Sequence, residues 1–262
     1  MLRGTRAAHR YGRERTRRGV IGRLVVIAGL IATVTVASGS PAAAERTPGE
    51  LVRYEFLAGG GTTVADTGTG APMNLTIDNP GNVEWVPGGG LTVNSSTAII
   101  SSGPAAKVID AVSSSGQMTV EAWVTPAPGE QSGPARLVSN APNPTTRNFM
   151  LGQGAWGSLP LDRFAGRFRT TNAPGGTPTV FTPAGSAGST LSHVVLTRST
   201  NGQTTIYVDG VAQSSSTLTG TAANWNTTYP LTLANTANGS RPWLGTFCLV
   251  AIYDTALSAG QV

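Results

Sequence analysis

Cysteine and histidine are scarce in this chain. Of its 262 residues one is a cysteine, Cys248, and two are histidines, of which only His193 lies beyond residue 44. A single cysteine excludes an intrachain disulfide, and one histidine leaves too few ligands for a zinc site built on imidazole or thiolate. The chain also lacks a Gly-x-Ser-x-Gly turn, so a serine-type catalytic triad is disfavoured. We interpret His193 as a structural hydrogen-bonding residue.

Charge is sparse as well, and it is unevenly distributed. Charged residues make up 12% of the chain. Residues 1–44 hold eight Arg and one Glu, a balance of +7, whereas residues 45–262 hold ten Lys and Arg against twelve Asp and Glu, a balance of −2. The high pI therefore comes from the N-terminal segment. Because the remainder is nearly neutral, we expect no nucleic-acid partner.

The basic N-terminal segment has three parts in a fixed order. An Arg-rich stretch spans residues 3–23, an apolar run follows at 24–37, and small side chains occupy 38–44. This order is typical of a secretory signal peptide. We predict cleavage before Glu45, a secreted, extracellular protein, and no membrane association after cleavage.

Two alternatives concern this leader. The apolar run of about 14 residues is shorter than the roughly 20 that span a bilayer as a helix, but Val20 and Ile21 could extend it into an uncleaved anchor. Arg17 and Arg18, followed shortly by apolar residues, resemble a twin-arginine export signal. The general secretory route stays the alternative to that export signal.

Helical periodicity is absent after residue 44, except in the last few residues. There the chain consists of short β-branched and aromatic runs interrupted by Gly and Pro, which predicts an all-β domain. Residues 194–198 and 204–209 alternate as strands, and Asn201-Gly202 predicts a tight hairpin turn between them. Four apolar residues of these strands are predicted to face the core: Val194, Leu196, Ile206 and Val208.

The same hairpin resembles part of a known family. The sequence HVVLTRSTNGQTTIYVDGV and the tail segment IYDTALS are similar to the closing half of laminin-G-like (LamG) domains, in the concanavalin A-like lectin/glucanase superfamily. The resemblance extends back through MTVEAWVTP to VEWVPGGGLTV and YEFLAGGGTTVADTGTG. It implies a two-sheet antiparallel β-sandwich, a jelly roll of concanavalin A-like type. The predicted order is a signal peptide (1–44), a short lead-in (45–50) and one domain (51–262).

The strand at 118–125 bears on catalysis. Alternation places Met118, Val120, Ala122 and Val124 on one face and Glu121 and Trp123 on the other. In the glucanase branch of the superfamily such a strand carries Glu-x-Asp-x-x-Glu. Here Glu121 matches the first position, but Trp123 and Pro126 replace the two other acids, and retaining hydrolysis needs two carboxyl groups. We therefore predict a non-catalytic protein, with an atypical polysaccharide hydrolase or lyase as the alternative.

Binding is the function that remains, and the fold implies glycan or protein ligands. Sugars stack their C–H faces on aromatic rings and need amide or carboxylate partners for their hydroxyls. Trp156, Trp225 and Tyr229, in polar or Gly-rich surroundings, are the predicted ligand residues together with Glu121. The other three tryptophans are interpreted as packing residues: Trp85, Trp123 and Trp243.

The resemblance also implies one Ca²⁺, an ion that prefers clustered oxygen ligands. Asp66 in VADTGTG is the predicted ligand, with Asp254 as a second oxygen donor, and an ordinary Asp-Gly turn is the alternative. The sequence thus predicts a secreted, monomeric, non-catalytic module that binds extracellular carbohydrate. A cell-surface adhesion module with a protein partner stays open as a further alternative.

Overall fold

The computed structural model describes residues 47–129, 131, 133–157 and 159–262. The predicted signal peptide lies outside the described residues. The described residues contain sixteen strands and one α-helix. The strands are β1 Glu50–Tyr54, β2 Thr63–Val64, β3 Leu75–Ile77, β4 Val83–Trp85, β5 Leu91–Val93, β6 Ile99–Ser101, β7 Met118–Pro126, β8 Ala135–Asn140, β9 Phe149–Gln153, β10 Phe164–Phe168, β11 Val180–Phe181, β12 Ser192–Arg198, β13 Gln203–Val208, β14 Val211–Thr217, β15 Thr232–Leu233 and β16 Gly245–Tyr253. The helix is α1, Ala106–Ser115.

The strands form two antiparallel sheets. Sheet A has the order β14-β13-β12-β7-β16-β5-β4, and β1 also pairs with β16. Sheet B has the order β11-β10-β9-β8-β15-β6-β3-β2. The two sheets pack as a β-sandwich, which confirms the predicted fold class.

Strand alternation determines the core between the sheets. The four residues that alternation places on one face of β7, from Met118 to Val124, are completely buried. They share one apolar cluster with side chains of sheet B such as Leu151 and Phe164. The sheets approach closely at Gly166 of β10, where an added Cβ would clash with the Leu196 side chain.

The predicted hairpin is formed by β12 and β13. Val194 lies opposite Val208 and Leu196 opposite Ile206, and all four are buried as predicted. In the turn only Gly202 takes a positive φ, of +85°, while the Asn201 side chain accepts a hydrogen bond from the Gln203 N–H. Gly202 therefore supplies the backbone conformation that the turn requires, and the Asn201 side chain supplies a hydrogen bond within it.

Two predictions about helices were wrong. The helix α1 was not predicted, because its ten residues complete fewer than three turns and bury only Val108, Ile109 and Val112. It ends at Gly116, whose φ of +67° terminates the helix in a left-handed conformation. The last residues do not form a helix but a turn, in which the Ser258 carbonyl accepts from the N–H groups of Gln261 and Val262.

The outer faces of the sheets, those that point away from the core, differ in their coverage. On sheet A, Tyr253 packs with Ala251 and Leu257 in a second apolar cluster. On sheet B every residue of β8 and β9 is buried, so side chains from the neighbouring loops cover part of the outer face. Within the described part of the chain, no helix has the length and apolar character that would cross a membrane.

Candidate functional site

Glu121, a predicted ligand residue, lies on the outer face of sheet A. Alternation along β7 turns Glu121 and Trp123 away from the core. Pairing then places His193 of β12 opposite Trp123, and Ala251 of β16 opposite Glu121. Tyr253 follows Ala251 by two residues and so shares its face. Three strands thereby bring a carboxylate, an imidazole, an indole and a phenol together.

The Glu121 carboxylate bonds to all three of these neighbours. Its Oε1 lies 3.0 Å from His193 Nε2 and accepts a 3.2 Å hydrogen bond from Trp123 Nε1. Its Oε2 accepts a 2.7 Å hydrogen bond from the Tyr253 hydroxyl. The Trp123 and His193 rings stack with centroids 4.4 Å apart. The result is a closed hydrogen-bonded network in which the Glu121 side chain is 16% exposed.

The pKa values of Glu121 and Tyr253 both shift away from neutrality. Burial by itself would raise the pKa of Glu121, but the hydrogen bonds from His193 and Tyr253 outweigh it and hold that pKa below its ordinary value. Burial and the Glu121 charge raise the pKa of Tyr253. Glu121 is therefore ionised and Tyr253 protonated near pH 7. A catalytic general acid requires the opposite shift for the carboxyl group.

Glycoside hydrolysis also needs a second carboxylate. The three side chains that hydrogen-bond the Glu121 carboxylate, those of His193, Tyr253 and Trp123, are not acidic. Retaining hydrolysis places two carboxyl groups about 5–5.5 Å apart. On sheet A the Glu121 carboxylate is thus engaged by three side chains, and a second carboxylate, Glu50 of β1, lies opposite Tyr253 and pairs with Arg53.

The tryptophans separate into core and surface residues. Trp243 is completely buried, which confirms its packing role, and Trp85 is partly buried against the core. Trp123 is 37% exposed, so its predicted packing role was wrong: it belongs to the outer face of β7. Trp225 is only 6% exposed and packs against Phe149 and Phe168. This predicted ligand residue therefore lies in the core, where a sugar could not reach its ring.

Tyr229, the predicted ligand residue nearest to Trp225 in the chain, is half-buried just before β15. Its carbonyl accepts hydrogen bonds from the Ala105 N–H and from Asn140 Nδ2. The backbone of Tyr229 thus connects the start of α1 to sheet B. A role of its ring in ligand binding stays a prediction.

Trp156 is the predicted ligand residue that lies nearest to an array of charges. It follows β9 in sheet B and is half-buried. The guanidinium of Arg167 lies over its ring, 4.1 Å from the centroid. On β10, Phe164 and Phe168 face the core, so Arg167 points to the outer face of sheet B. The Phe181 ring packs edge-on against Trp156, at a centroid distance of 6.3 Å.

Three further arginines, which were not predicted as site residues, lie on or beside sheet B, and the charges of Arg147, Arg167 and Arg241 all act on Arg136. Arg136 of β8 is completely buried and donates to the carbonyl oxygens of Pro134 and Pro144. Arg147, 4% exposed, donates to the carbonyls of Pro144 and Gly175. We call the four residues the arginine cluster: Arg136, Arg147, Arg167 and Arg241.

The cluster is close enough for its members to affect one another. Burial, and then the charges of Arg147, Arg241 and Arg167, lower the pKa of Arg136 to about 9. Burial and the charge of Arg147 lower the pKa of Arg167 to about 10. At these pKa values the Arg136 and Arg167 guanidinium groups still carry their charge at pH 7. A sequence signal did exist, because FAGRF places an Arg between two core-facing Phe residues, on the opposite face of the strand.

Asp66, the predicted calcium ligand, has another set of partners. Its Oδ1 accepts from the N–H groups of Arg53 and Gly68, at 3.0 and 2.8 Å. Its Oδ2 accepts from the Met73 N–H at 2.8 Å and from Lys107 Nζ at 2.9 Å. Burial would raise the pKa of Asp66, but these hydrogen bonds hold it below its ordinary value. Both carboxylate oxygens of Asp66 thus accept hydrogen bonds, and the Lys107 ammonium occupies the position beside Oδ2 that a bound cation would take.

Asp254, the second predicted calcium ligand, is half-buried at the end of β16, where its N–H donates to the Gly49 carbonyl. No three His, Cys, Asp or Glu side chains gather as a ligand set for a metal within the described ranges. The hydrogen bonding of Asp66 therefore does not favour a calcium site, which stays a prediction.

The sequence matches one family model. The model Laminin_G_3, described as the Concanavalin A-like lectin/glucanases superfamily, matches residues 100–262. The match includes β7, the β12–β13 hairpin and β16, while the similar stretches at 54–70 and 83–93 precede it. No curated protein sequence matches the chain.

Solved structures share the fold at low sequence identity. Trypanosoma rangeli sialidase in complex with sialic acid is 18% identical, with a TM-score of 0.57 over 82% of this chain and 32% of the sialidase. Domain 4 of AbnA, a GH43 extracellular arabinanase from Geobacillus stearothermophilus, in complex with arabinotriose, is also 18% identical. Its TM-score is 0.54 over 81% of this chain and 95% of that domain. The chain spans about a third of the sialidase, and the likeness concerns the fold alone.

Proposed function

The chain belongs to the concanavalin A-like lectin/glucanase superfamily, and we propose that it is a non-catalytic module that binds extracellular carbohydrate through the outer face of sheet B. The observation that carries the proposal is the half-buried Trp156 ring with the Arg167 guanidinium over it, 4.1 Å from the ring centroid. Among the four predicted ligand residues, Trp156 alone offers an accessible ring on sheet B together with adjacent donors.

The chemistry of a sugar suits this pair. A pyranose or furanose ring presents C–H groups that pack on an aromatic face, and hydroxyls that accept hydrogen bonds from a guanidinium. The Nε of Arg167 donates to Thr179 Oγ1 at 2.6 Å, which fixes the side chain. Within the described residues the structure records no hydrogen bond from its two Nη groups. These donors are therefore available to a ligand that stacks on Trp156.

Two further observations support the proposal. The similar arabinanase domain, of which the match covers 95%, is described in complex with arabinotriose, so a domain of this fold accommodates a sugar. The engaged state of Glu121 supports a role without catalysis. We also infer secretion, from the order of basic, apolar and small residues in the leader.

Binding can be tested with immobilised polysaccharides, by comparing the protein with its Trp156→Ala and Trp123→Ala variants. Both substitutions remove a partly exposed indole, but from opposite faces of the sandwich. We expect Trp156→Ala to weaken binding about two- to tenfold, since packing on an aromatic ring contributes about 0.5–1.5 kcal/mol. Trp123→Ala is expected to retain the affinity.

Other results would identify an alternative function. Loss of binding in Trp123→Ala alone would move the site to sheet A. Released sugar would favour an atypical hydrolase or lyase, for which His193 and Tyr207 lie on the same face as Glu121. If no polysaccharide binds, the proposal fails in favour of a protein partner. Each assay is run once with Ca²⁺ and once with a chelator. If binding requires calcium, as predicted, the chelator will abolish it.

A further inference from the structure

A cavity lies beside the loop that joins β9 to β10, residues 154–163. Its volume is about 420 Å³, which is within the range of about 300–1,000 Å³ that ligand pockets occupy. Six residues line it: Gly129, Gln153, Pro160, Leu161, Asp162 and Ala187. The lining thus combines apolar side chains with one amide and one carboxylate. A small number of polar groups on an apolar wall is typical of a pocket that orients a small ligand.

The orientation of the Gln153 amide is fixed by its contacts. Trp243 Nε1 donates to Gln153 Oε1 at 2.8 Å, and Gln131 Nε2 donates to the same oxygen at 3.3 Å. An indole N–H only donates, so the atom that faces it is the amide oxygen. Gln153 is 2% exposed, and its Nε2 has no acceptor among the residues that the structure describes. The two N–H donors of Nε2 are therefore what this side chain offers to a ligand in the cavity.

The partners of Gln153 are themselves rigid. Gln131 exchanges two hydrogen bonds with the backbone of Leu244, both 2.7 Å long: its Nε2 donates to the carbonyl and its Oε1 accepts from the N–H. Trp243 is completely buried. The Gln153 amide is thus held before any ligand arrives, and a preorganised group loses little conformational entropy on binding.

Asp162 supplies the carboxylate of the cavity. Its backbone carbonyl accepts from the Ala187 N–H at 3.0 Å, and the carbonyl of the next residue, Arg163, accepts from the Gly154 N–H at 2.7 Å. These two bonds hold the backbone at Asp162 against two other segments of the cavity wall. The Asp162 side chain is exposed. A carboxylate only accepts hydrogen bonds, so it complements the donors of Gln153.

We propose that this cavity binds one unit of a neutral saccharide, with Asp162 accepting hydrogen bonds from its hydroxyls and Gln153 donating to them. The inference rests on the proposed function, which supplies carbohydrate as the ligand class. A sugar hydroxyl both donates and accepts, so an acceptor and a donor in one cavity suit a ring with several hydroxyls. Leu161 and Pro160 provide apolar surface for its C–H groups.

The carboxylate also selects against part of the sugars. An acidic unit would bring a second negative charge beside Asp162, and a like charge in a binding site disfavours the wrong partner. A neutral unit instead gains charge-assisted hydrogen bonds, which are roughly twice as strong as neutral ones. The cavity is therefore expected to prefer galactose to galacturonate, which differ in the carboxylate that replaces the C6 hydroxymethyl group.

The Gln153 amide allows a direct test by ¹⁵N NMR. Its side-chain signals can be assigned by their disappearance in Gln153→Glu, which keeps an oxygen for Trp243. The protein is titrated with galactose, glucose, arabinose and galacturonate. We expect at least one neutral sugar to shift the Gln153 Nε2–H signals in a saturable way, and galacturonate to require a higher concentration than galactose.

Variants of Asp162 assign the effect to the cavity. Asp162→Ala removes the acceptor from an exposed position, so folding should be retained, and Asp110→Ala is the matched control because Asp110 is exposed on α1. We expect Asp162→Ala to weaken binding of the neutral sugar at least about tenfold, since hydrogen bonds to a charged group are among the strong ones. Asp110→Ala should bind as the wild type does. Asp162→Asn should lose part of the affinity and reduce the discrimination against galacturonate.

Three results would overturn the inference. If no sugar shifts the Gln153 signals, or if Asp162→Ala binds as tightly as the wild type, the cavity is not a saccharide site. An equal loss in Asp110→Ala shows that the effect does not belong to the cavity. Tighter binding of galacturonate than of galactose refutes the neutral ligand class.

The same experiments separate this inference from the proposed function. If polysaccharide binding depends on Trp156 but Asp162→Ala has no effect on any sugar, the cavity is refuted and the proposed function stands. If no polysaccharide binds, the proposed function fails, and the titration with monosaccharides still decides the cavity. A saturable shift of the Gln153 signals that Asp162→Ala abolishes would then support it, and the absence of a shift would refute it.

Discussion

The outer faces of the two sheets carry charge in opposite ways. On sheet A the Glu121 carboxylate accepts hydrogen bonds from three side chains, so its acceptors and their donors are matched within the protein. On sheet B the arginine cluster has donors and charge without an anion among the described residues. A network whose hydrogen-bonding groups are paired within the protein contributes to stability and leaves few of these groups to bind a ligand. An unmatched one is available for binding.

The largest effect is expected when the matched network is broken. Glu121→Ala leaves the Tyr253 hydroxyl, the His193 ring and the Trp123 indole without their acceptor. Since Tyr253 is 2% exposed and an unsatisfied buried donor costs about 1–3 kcal/mol, we expect the free energy of unfolding to fall by about 3 kcal/mol. Urea denaturation measures it. A decrease below about 1 kcal/mol would show that the network is not matched in solution.

A smaller effect is expected from pH. The pKa of Glu121 is depressed in the folded state below its ordinary value of 4.5, so its ionisation stabilises the fold above that value. This contribution is lost as pH falls from 4.5 through the folded-state pKa. We expect the unfolding free energy of the wild type to fall more steeply in this range than that of Glu121→Gln, in which Asp66 still titrates. Parallel curves for the two proteins would contradict the assignment.

The smallest effect is expected on sheet B. Arg241→Gln removes a guanidinium with no hydrogen bond recorded in the described part of the chain, so we expect the free energy of unfolding to change by less than about 0.5 kcal/mol. Urea denaturation in a sulfate-free buffer provides the measurement. A loss comparable to that of Glu121→Ala would show that the cluster is structural, and the contrast between the two faces would disappear.

Much of the fold could be predicted from short-range patterns. The alternation in β7, β12 and β13 identified the core residues, because successive side chains of a strand point to opposite faces. Helix α1 escaped prediction, because three buried residues in ten give too weak a period. Trp123 was wrongly assigned to packing. A tryptophan on a strand is expected to be buried only when it lies on the face that points to the core, and Trp123 lies on the outer face.

The site was less predictable. Trp156 was named from its polar neighbours, but Trp225 has similar neighbours and lies in the core against Phe149 and Phe168. Local sequence does not distinguish them, since burial of a loop residue depends on what packs above it. The arginine cluster draws its members from β8, from β10 and from two loops. Its members are separated by up to about a hundred positions, and no pattern in the chain connects them.

The sequence by itself determined the alternation that builds two sheets, the turn chemistry at Asn201-Gly202 and the absence of an intrachain disulfide. These properties depend on neighbours within a few residues or on composition. Only the tertiary structure decided that the Glu121 carboxylate is hydrogen-bonded by three side chains, and that Arg136 and Arg167 have no acidic partner among the described residues. Pairing of charges depends on distances between strands that are remote in sequence, and those distances exist only once the sandwich has formed.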